Sequence, residues 1–246
     1  MNLEFFSQNP ELLWIFTVFY DLTLAIILFY FFGKNGLYTA VILGIILANL
    51  QGGKVSELTI FGNTFVVSMG AIMYSGIYFA TDLLNEKYGR AEANKAVIIG
   101  AVANVIVMFT LVLSTYYLPS GIASSANEVH QAISTLALYS PIFVIGSITD
   151  DLISQTFDVW VFHKIKTITG DKYLWLRNNV STLSSQALDT FIYTFVWVLA
   201  GQMSFKVALG IALTKYVFKF FIAIVDTIFI YFVRNFNPKD LQTTNG

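Results

Sequence analysis

The sequence predicts an all-α protein, a polytopic integral membrane bundle of six to seven transmembrane helices with a cytoplasmic C-terminus. Of its 246 residues, 56% are hydrophobic and only 12% are charged, whereas a soluble domain carries about 25% charged residues. Apolar residues gather in runs long enough to cross a bilayer, and basic residues gather in alternate connections. We therefore expect a single integral membrane domain over residues 1–246.

Seven apolar runs predict the spans, because roughly 20 mostly apolar residues cross the hydrocarbon core as a helix. They are residues 12–33, 36–52, 62–84, 96–118, 133–163, 180–201 and 207–233. The second run is the weakest, since Gln51, Gly52 and Gly53 end its apolar core early. The first run lacks the features of a secretory signal and is expected to remain as an extra N-terminal helix.

Lysine and arginine are distributed unevenly between the two sides of the predicted bundle. Even-numbered connections hold Lys54 and Lys206. Odd-numbered connections and the C-terminal tail hold Lys34, Lys87, Arg90, Lys95, Lys164, Lys166, Lys172, Arg177, Arg234 and Lys239. The excess places the odd connections and the C-terminus in the cytoplasm. Seven spans put the N-terminus outside, and six spans put it inside.

Composition excludes several kinds of protein. The absence of cysteine excludes disulfides and thiolate metal sites, and His130 and His163 are too few for a histidine metal centre. A net charge of −1 gives no reason to expect a nucleic-acid partner. No H-E-x-x-H, G-x-S-x-G or Walker motif occurs, so neither an enzyme nor a cofactor or metal site is expected.

The pattern S-Q-x-x-D occurs twice, at residues 154–158 and 185–189. In each copy the amide and the carboxylate share one helix face. Hydroxyl groups in membrane helices commonly hold helices together. An ionisable group is not needed for that role and is costly in hydrocarbon, so Asp158 and Asp189 predict a functional polar pocket between two helices.

Polar residues extend both motifs into stripes at three- and four-residue spacing, which indicates two faces that line an interior cavity. One stripe comprises Ser147, Asp151, Ser154, Gln155, Asp158 and Phe162. The other comprises Asn178, Thr182, Ser185, Gln186, Asp189 and Tyr193.

Three further polar residues lie in apolar surroundings. Asp82 and Asn85 share a face at the end of the third run, where either a binding role or helix capping explains them. Lys219 lies near the middle of the last run and needs a counter-charge, for which Asp158 and Asp189 are the candidates.

Several motifs resemble the bacterial queuosine-precursor transporters, also called vertical uptake transporters. They are Ala48-Asn49, the stretch 81–89 (TDLLNEKYG), 154–159 (SQTFDV) with Phe162, 175–179 (WLRNN), Ser181-Thr182, Gln186, Asp189-Thr190, and Tyr216 followed by Lys219. The resemblance covers about residues 40–235, with the motifs in the family's order and spacing.

The resemblance implies a secondary transporter in the bacterial cytoplasmic (inner) membrane. Its substrate would be a 7-deazaguanine: 7-cyano-7-deazaguanine, its aminomethyl form, or queuine. The candidate substrate-binding residues are Asn49, Asp82, Asn85, Gln155, Asp158, Asn178, Thr182, Gln186, Asp189, Tyr216 and Lys219. Asp158 or Asp189 would accept hydrogen bonds from the ring N–H and the exocyclic amine.

Two other functional classes stay open at this point. The chain is small and has short loops, as do membrane subunits that bind a vitamin-type substrate for a separate ATP-driven module. A membrane-embedded enzyme or a purely structural polar bundle is the remaining class. The expected partners are the lipid bilayer and the small-molecule 7-deazaguanine substrate, and a homodimer is left open.

Overall fold

The computed structural model describes residues 9–60, 63–122, 125–137, 141–170, 172–201, 204–236 and 238. Its elements are α1 Pro10–Gln51, β1 Val55–Ile60, β2 Asn63–Ser68, a 3-10 helix Met69–Met73, α2 Tyr74–Tyr88, α3 Arg90–Ser114, α4 Ala126–Ala137, α5 Pro141–Thr169, α6 Leu174–Leu199 and α7 Phe205–Val233. The protein is an all-α helical membrane protein, as predicted. Within the described residues, α1, α3 and α7 are long and apolar enough to cross a membrane.

Helix α1 turns back on itself at Gly33, which adopts φ 56° and ψ −130°. A positive φ is accessible to glycine at little steric cost. A Cβ added to Gly36 would lie 1.9 Å from the carbonyl oxygen of Leu28, although residues eight apart in a straight helix are separated by about 12 Å. Residues 10–32 and 34–51 therefore form two antiparallel arms, which correspond to the first two apolar runs.

A β-hairpin lies where the sequence predicts the start of the third helix. Strands β1 and β2 pair antiparallel, with Val55 opposite Ser68 and Leu58 opposite Phe65. The predicted helix over 62–84 is therefore wrong at its beginning, and the helical conformation starts at Met69. A short run of β-branched and aromatic residues suits a strand as well as a buried helix, so hydropathy does not separate the two.

The predicted fifth run, residues 133–163, is divided between two helices. Helix α4 ends at Ala137, and α5 begins at Pro141, a residue that is favoured in the first turn of a helix because it has no N–H to donate. Residues 138–140 lie outside the described part. The connection between the predicted fourth and fifth runs also contains the first residues of α4, which begins at Ala126.

Helix α2 occupies the centre of the bundle, where it packs against α1, α3, α5 and α7. Every residue from 75 to 85 is buried. At 1.5 Å per residue α2 is only about 22 Å long, and the 3-10 helix before it adds about 10 Å. The two segments together match the hydrocarbon thickness of about 30 Å in length.

The two ends of the bundle differ in the basic residues that they carry. At the end that we call the basic end, Lys34 pairs with Glu92 at 3.2 Å and Lys166 pairs with Glu86 at 3.2 Å. The β-hairpin lies at the opposite end, which we call the hairpin end, because α2 and α3 run between the two. The connections that the sequence places in the cytoplasm therefore meet at the basic end.

Candidate functional site

A cavity of about 480 Å³ opens at the hairpin end, within the range of about 300–1,000 Å³ that is usual for small-molecule sites. Its mouth includes Gly52, Lys54 and Ser68, where α1 meets the hairpin. The polar and aromatic residues deeper inside are Asn49, Tyr74, Asp150, Asp189, Thr190, Tyr193, Trp197 and Lys219.

A buried ion pair forms the floor of this cavity. Lys219 Nζ lies 2.5 Å from Asp189 Oδ2 and 4.6 Å from the centre of the Tyr74 ring. The carboxylate of Asp150 is a further neighbour of Asp189. The counter-charge that the sequence requires for Lys219 is therefore Asp189 rather than Asp158.

Asp151 on α5 forms hydrogen bonds with two residues that line the cavity and belong to other helices. Its carboxylate accepts a hydrogen bond from Asn49 Nδ2 at 2.9 Å and another from the Tyr74 hydroxyl. These bonds join α5 to the second arm of α1 and to α2. The wall is thereby fixed by charge-assisted hydrogen bonds, which are stronger than neutral ones.

The two S-Q-x-x-D motifs face each other across the antiparallel pair α5 and α6. The Ser185 hydroxyl donates to Asp158 Oδ1 at 3.0 Å, whereas Asp189 lies one helical turn, about 6 Å, farther toward the hairpin end. The two carboxylates therefore lie at different depths instead of lining one pocket from both walls, and only Asp189 lines the open cavity.

Three carboxylates lie below the cavity floor: Asp82 on α2, Asp158 on α5 and Asp226 on α7. We call them the acidic cluster. They are 0%, 0% and 1% exposed. Asp82 lies close enough to Asp158 and Asp226 to interact electrostatically with both. Asn178 Nδ2 donates to Asp226 Oδ2 at 3.4 Å.

A second cavity of about 10 Å³ lies between the open cavity and the acidic cluster. Tyr78, Thr182, Gln186 and Asp226 are among its lining residues, and it shares Tyr74 and Lys219 with the larger cavity. Its volume is about that of a single water site. Polar residues thus continue inward from the cavity floor toward the acidic cluster.

The basic end is closed by charged residues from α2, α5 and α6. Glu86 Oε1 lies 2.6 Å from Arg177 and Glu86 Oε2 lies 3.2 Å from Lys166. Arg177 is fully buried and also donates to the carbonyl oxygens of Gly170 and Lys172, at 2.9 and 3.0 Å. We call the Glu86, Lys166 and Arg177 side chains the ionic latch.

The substrate-binding residues that the sequence proposes fall into four groups by position. Those that line the open cavity are Asn49, Asp189 and Lys219. Those that line the small cavity are Thr182, Gln186 and Lys219. Those in contact with or within the acidic cluster are Asp82, Asp158 and Asn178. Those outside both cavities and the cluster are Asn85, Gln155 and Tyr216.

In the last group, Asn85 and Tyr216 each form a hydrogen bond between two helices. Asn85 Nδ2 donates to the carbonyl oxygen of Val159 at 2.9 Å, and the Tyr216 hydroxyl donates to that of Leu183 at 3.3 Å. Gln155 is 1% exposed. Neither polar atom of its amide has a hydrogen-bond partner within the described part of the chain.

Sequence reasoning did not select Tyr74, Asp150 or Trp197 as binding residues, although all three line the cavity. A signal existed for Trp197, which follows Asp189 and Tyr193 at four-residue steps and extends their stripe. Asp150 also precedes Ser154 by four residues, and the Ser154 hydroxyl donates to it at 3.1 Å. Tyr74 had no such signal, because its depth depends on the unpredicted hairpin.

Comparisons with known proteins show the family to which the chain belongs. The family model described as "Putative vitamin uptake transporter" matches residues 68–233. A relative from Bacillus subtilis (strain 168), named "Probable queuosine precursor transporter", is 36% identical over 236 residues, which cover 94% of this chain and 97% of the relative. No solved structure matches. The chain therefore belongs to this vitamin uptake transporter family, as the resemblance predicted, and is a transporter rather than an enzyme.

Proposed function

We propose that this protein imports a queuosine precursor of the 7-deazaguanine class across the bacterial cytoplasmic membrane, which it spans several times. The observation that carries the proposal is the relative named as a queuosine precursor transporter, with 36% identity over almost the full length of both chains. The candidate substrates are 7-cyano-7-deazaguanine, its aminomethyl form and queuine.

The open cavity suits a flat, donor-rich ring. Asp150 and Asp189 lie at its floor, where carboxylate oxygens accept hydrogen bonds from a ring N–H and an adjacent amine in bidentate fashion. Tyr74, Tyr193 and Trp197 supply aromatic faces along the walls, and such faces stack on planar heterocycles. Of the two carboxylates that the sequence proposes as substrate ligands, Asp189 is therefore the better candidate.

The direction of opening fits uptake. The cavity opens at the hairpin end, opposite the basic residues that predict the cytoplasmic side. The ionic latch closes the basic end. In alternating access around a midplane site, this conformation would receive substrate from outside, and opening of the latch would release it inside.

The test is uptake by the purified protein in liposomes. We expect uptake of radiolabelled 7-cyano-7-deazaguanine that unlabelled aminomethyl-deazaguanine suppresses and adenine leaves unchanged. Asp189→Asn should lose uptake because the bidentate acceptor becomes an amide. Asp21→Asn is the matched control, since Asp21 is a carboxylate of α1 that lines neither cavity and accepts hydrogen bonds from Ser75 Oγ at 2.8 Å and from the Gly76 N–H at 2.6 Å.

Two other outcomes would contradict the proposal. Binding of the precursor without uptake by the protein alone would indicate a membrane subunit that needs an ATP-driven module. Absence of binding for all three 7-deazaguanines would remove the substrate class. In cells that cannot make the precursor, the corresponding readout is queuosine in transfer RNA after the precursor is supplied.

A further inference from the structure

The acidic cluster has a feature that substrate binding does not explain. Asp82 is fully buried, and neither of its carboxylate oxygens has a hydrogen-bond donor within the described residues. Its neighbour Asp158 also has one oxygen, Oδ2, without a donor there. Two buried carboxylates in contact repel each other unless they share a proton, which then makes one of them a donor.

The charges that face Asp82 come from three helices. From α5 it meets Asp158, from α7 it meets Asp226, and from its own helix it meets Glu86. Tyr78 on α2 also lies near Asp158. The groups from α6 are neutral: Ser185, which donates to Asp158, and Asn178, which donates to Asp226.

Among the described residues, no cation forms an ion pair with any carboxylate of the acidic cluster. Arg177 and Lys166 are engaged by Glu86, and Lys219 is engaged by Asp189 one turn nearer the cavity. Buried ionised carboxylates without a counter-charge are strongly disfavoured. Protonation removes that cost and requires no additional space.

A second, independent observation points to a missing donor at the same place. Asn178 is fully buried and its Nδ2 donates to Asp226 Oδ2 and to Thr227 Oγ1, yet its Oδ1 has no donor within the described part of the chain. A buried amide oxygen without a donor is destabilising. Protonated carboxyl groups in the cluster would supply the hydrogen bonds that both observations require.

We infer that the Asp82–Asp158 pair is the proton-binding site of a proton-coupled carrier, a deepening that rests on the proposed function. The proton enters from the hairpin end through the open cavity and the small cavity lined by Tyr78 and Gln186. It is shared between the two carboxylates while the basic end is closed. When the ionic latch opens, water reaches the pair, and the proton leaves to the cytoplasm with the substrate.

The experiment measures accumulation in proteoliposomes at zero membrane potential, with the acidic solution outside. One proton per neutral substrate converts a gradient of one pH unit into about tenfold accumulation, and a protonophore abolishes it. Asp82→Asn should still exchange labelled for unlabelled substrate across the membrane but should no longer accumulate it. Asp158→Asn should behave in the same way, because either change removes the shared proton.

Asp21→Asn is the control, since Asp21 is a mostly buried acid already supplied with two donors, and its accumulation should remain about tenfold at one pH unit. Accumulation by Asp82→Asn at the wild-type level would overturn the inference. So would wild-type exchange that does not respond to the proton gradient, although the proposed function would then stand. Loss of exchange in the wild type would instead contradict the proposed function.

Discussion

Lys219 on α7 and Asp189 on α6 meet at the floor of the open cavity, with 2.5 Å between Nζ and Oδ2. Each is less than one-tenth exposed. Both residues lie where a substrate would arrive, so the pair connects two helices and also occupies an acceptor that the substrate needs. Substrate binding and the contact between α6 and α7 are therefore coupled through one carboxylate.

Removal of the lysine should be more harmful to the fold than removal of the pair. Lys219→Met leaves Asp189 and Asp150 without their cation, and breaking a buried pair costs about 3–5 kcal/mol. The double variant Lys219→Met with Asp189→Asn should regain most of this stability without regaining uptake. Thermal unfolding in detergent measures the first effect, and equal unfolding temperatures for the single and double variants would contradict it.

The orientation can be tested with single cysteines, because the chain contains none of its own. Ile122 at the hairpin end is 98% exposed and Ile168 at the basic end is 77% exposed. A membrane-impermeant maleimide should label Ile122→Cys in intact cells and Ile168→Cys only after permeabilisation. The reverse pattern would place the open cavity on the cytoplasmic side.

The ionic latch should hold the basic end closed. Glu86→Gln removes the carboxylate shared by Arg177 and Lys166, so we expect the population to shift toward the form that opens inward. Labelling of Ala71→Cys, a position that lines the open cavity, should then slow severalfold from outside.

Glu92→Gln is the control for the latch, because it removes an ion pair at the same end. Glu92 is 28% exposed and its partner Lys34 is 40% exposed. Exposed pairs contribute only about 0–1 kcal/mol to stability. Labelling of Ala71→Cys should therefore be unchanged in this background. An equal effect of both substitutions would show that general loss of charge, rather than the latch, controls access.

The turn within α1 should not tolerate a side chain. A Cβ on Gly36 would lie 1.9 Å from the Leu28 carbonyl oxygen, and backbone cannot yield that far. Gly36→Ala should therefore reduce the amount of folded protein in the membrane. Gly210→Ala in α7 meets nothing within 4 Å and should be neutral, as judged by fluorescence-detected size-exclusion chromatography of both variants.

The sequence was sufficient for most of the helices and for the chemistry of the buried residues. Long apolar runs locate α3, α6 and α7, and most of their predicted ends lie within a few residues of the observed ends. This is because a membrane helix satisfies all its backbone groups internally. The cost of an unpaired ammonium likewise required a partner for Lys219 before any contact was known.

Depth along the membrane could not be predicted in the same way. Spacing assigns Asp158 and Asp189 to helix faces, but the axial offset between two antiparallel helices depends on the loop between them and on packing. The offset is one turn, and it separates a carboxylate of the cavity from one of the acidic cluster. The hairpin was not predicted for a related reason, since the six residues of each strand are too few to show a period that distinguishes a strand from a helix.

Helix α2 has consequences for how the protein depends on its host membrane. Its residues from 75 to 85 are enclosed by the other helices, so a shift of α2 along its axis exchanges protein contacts for protein contacts and leaves the lipid annulus undisturbed. Hydrophobic mismatch acts on the surrounding helices and not on this one. Transport rates should therefore vary little between bilayers of short and long acyl chains, provided that the outer helices remain assembled.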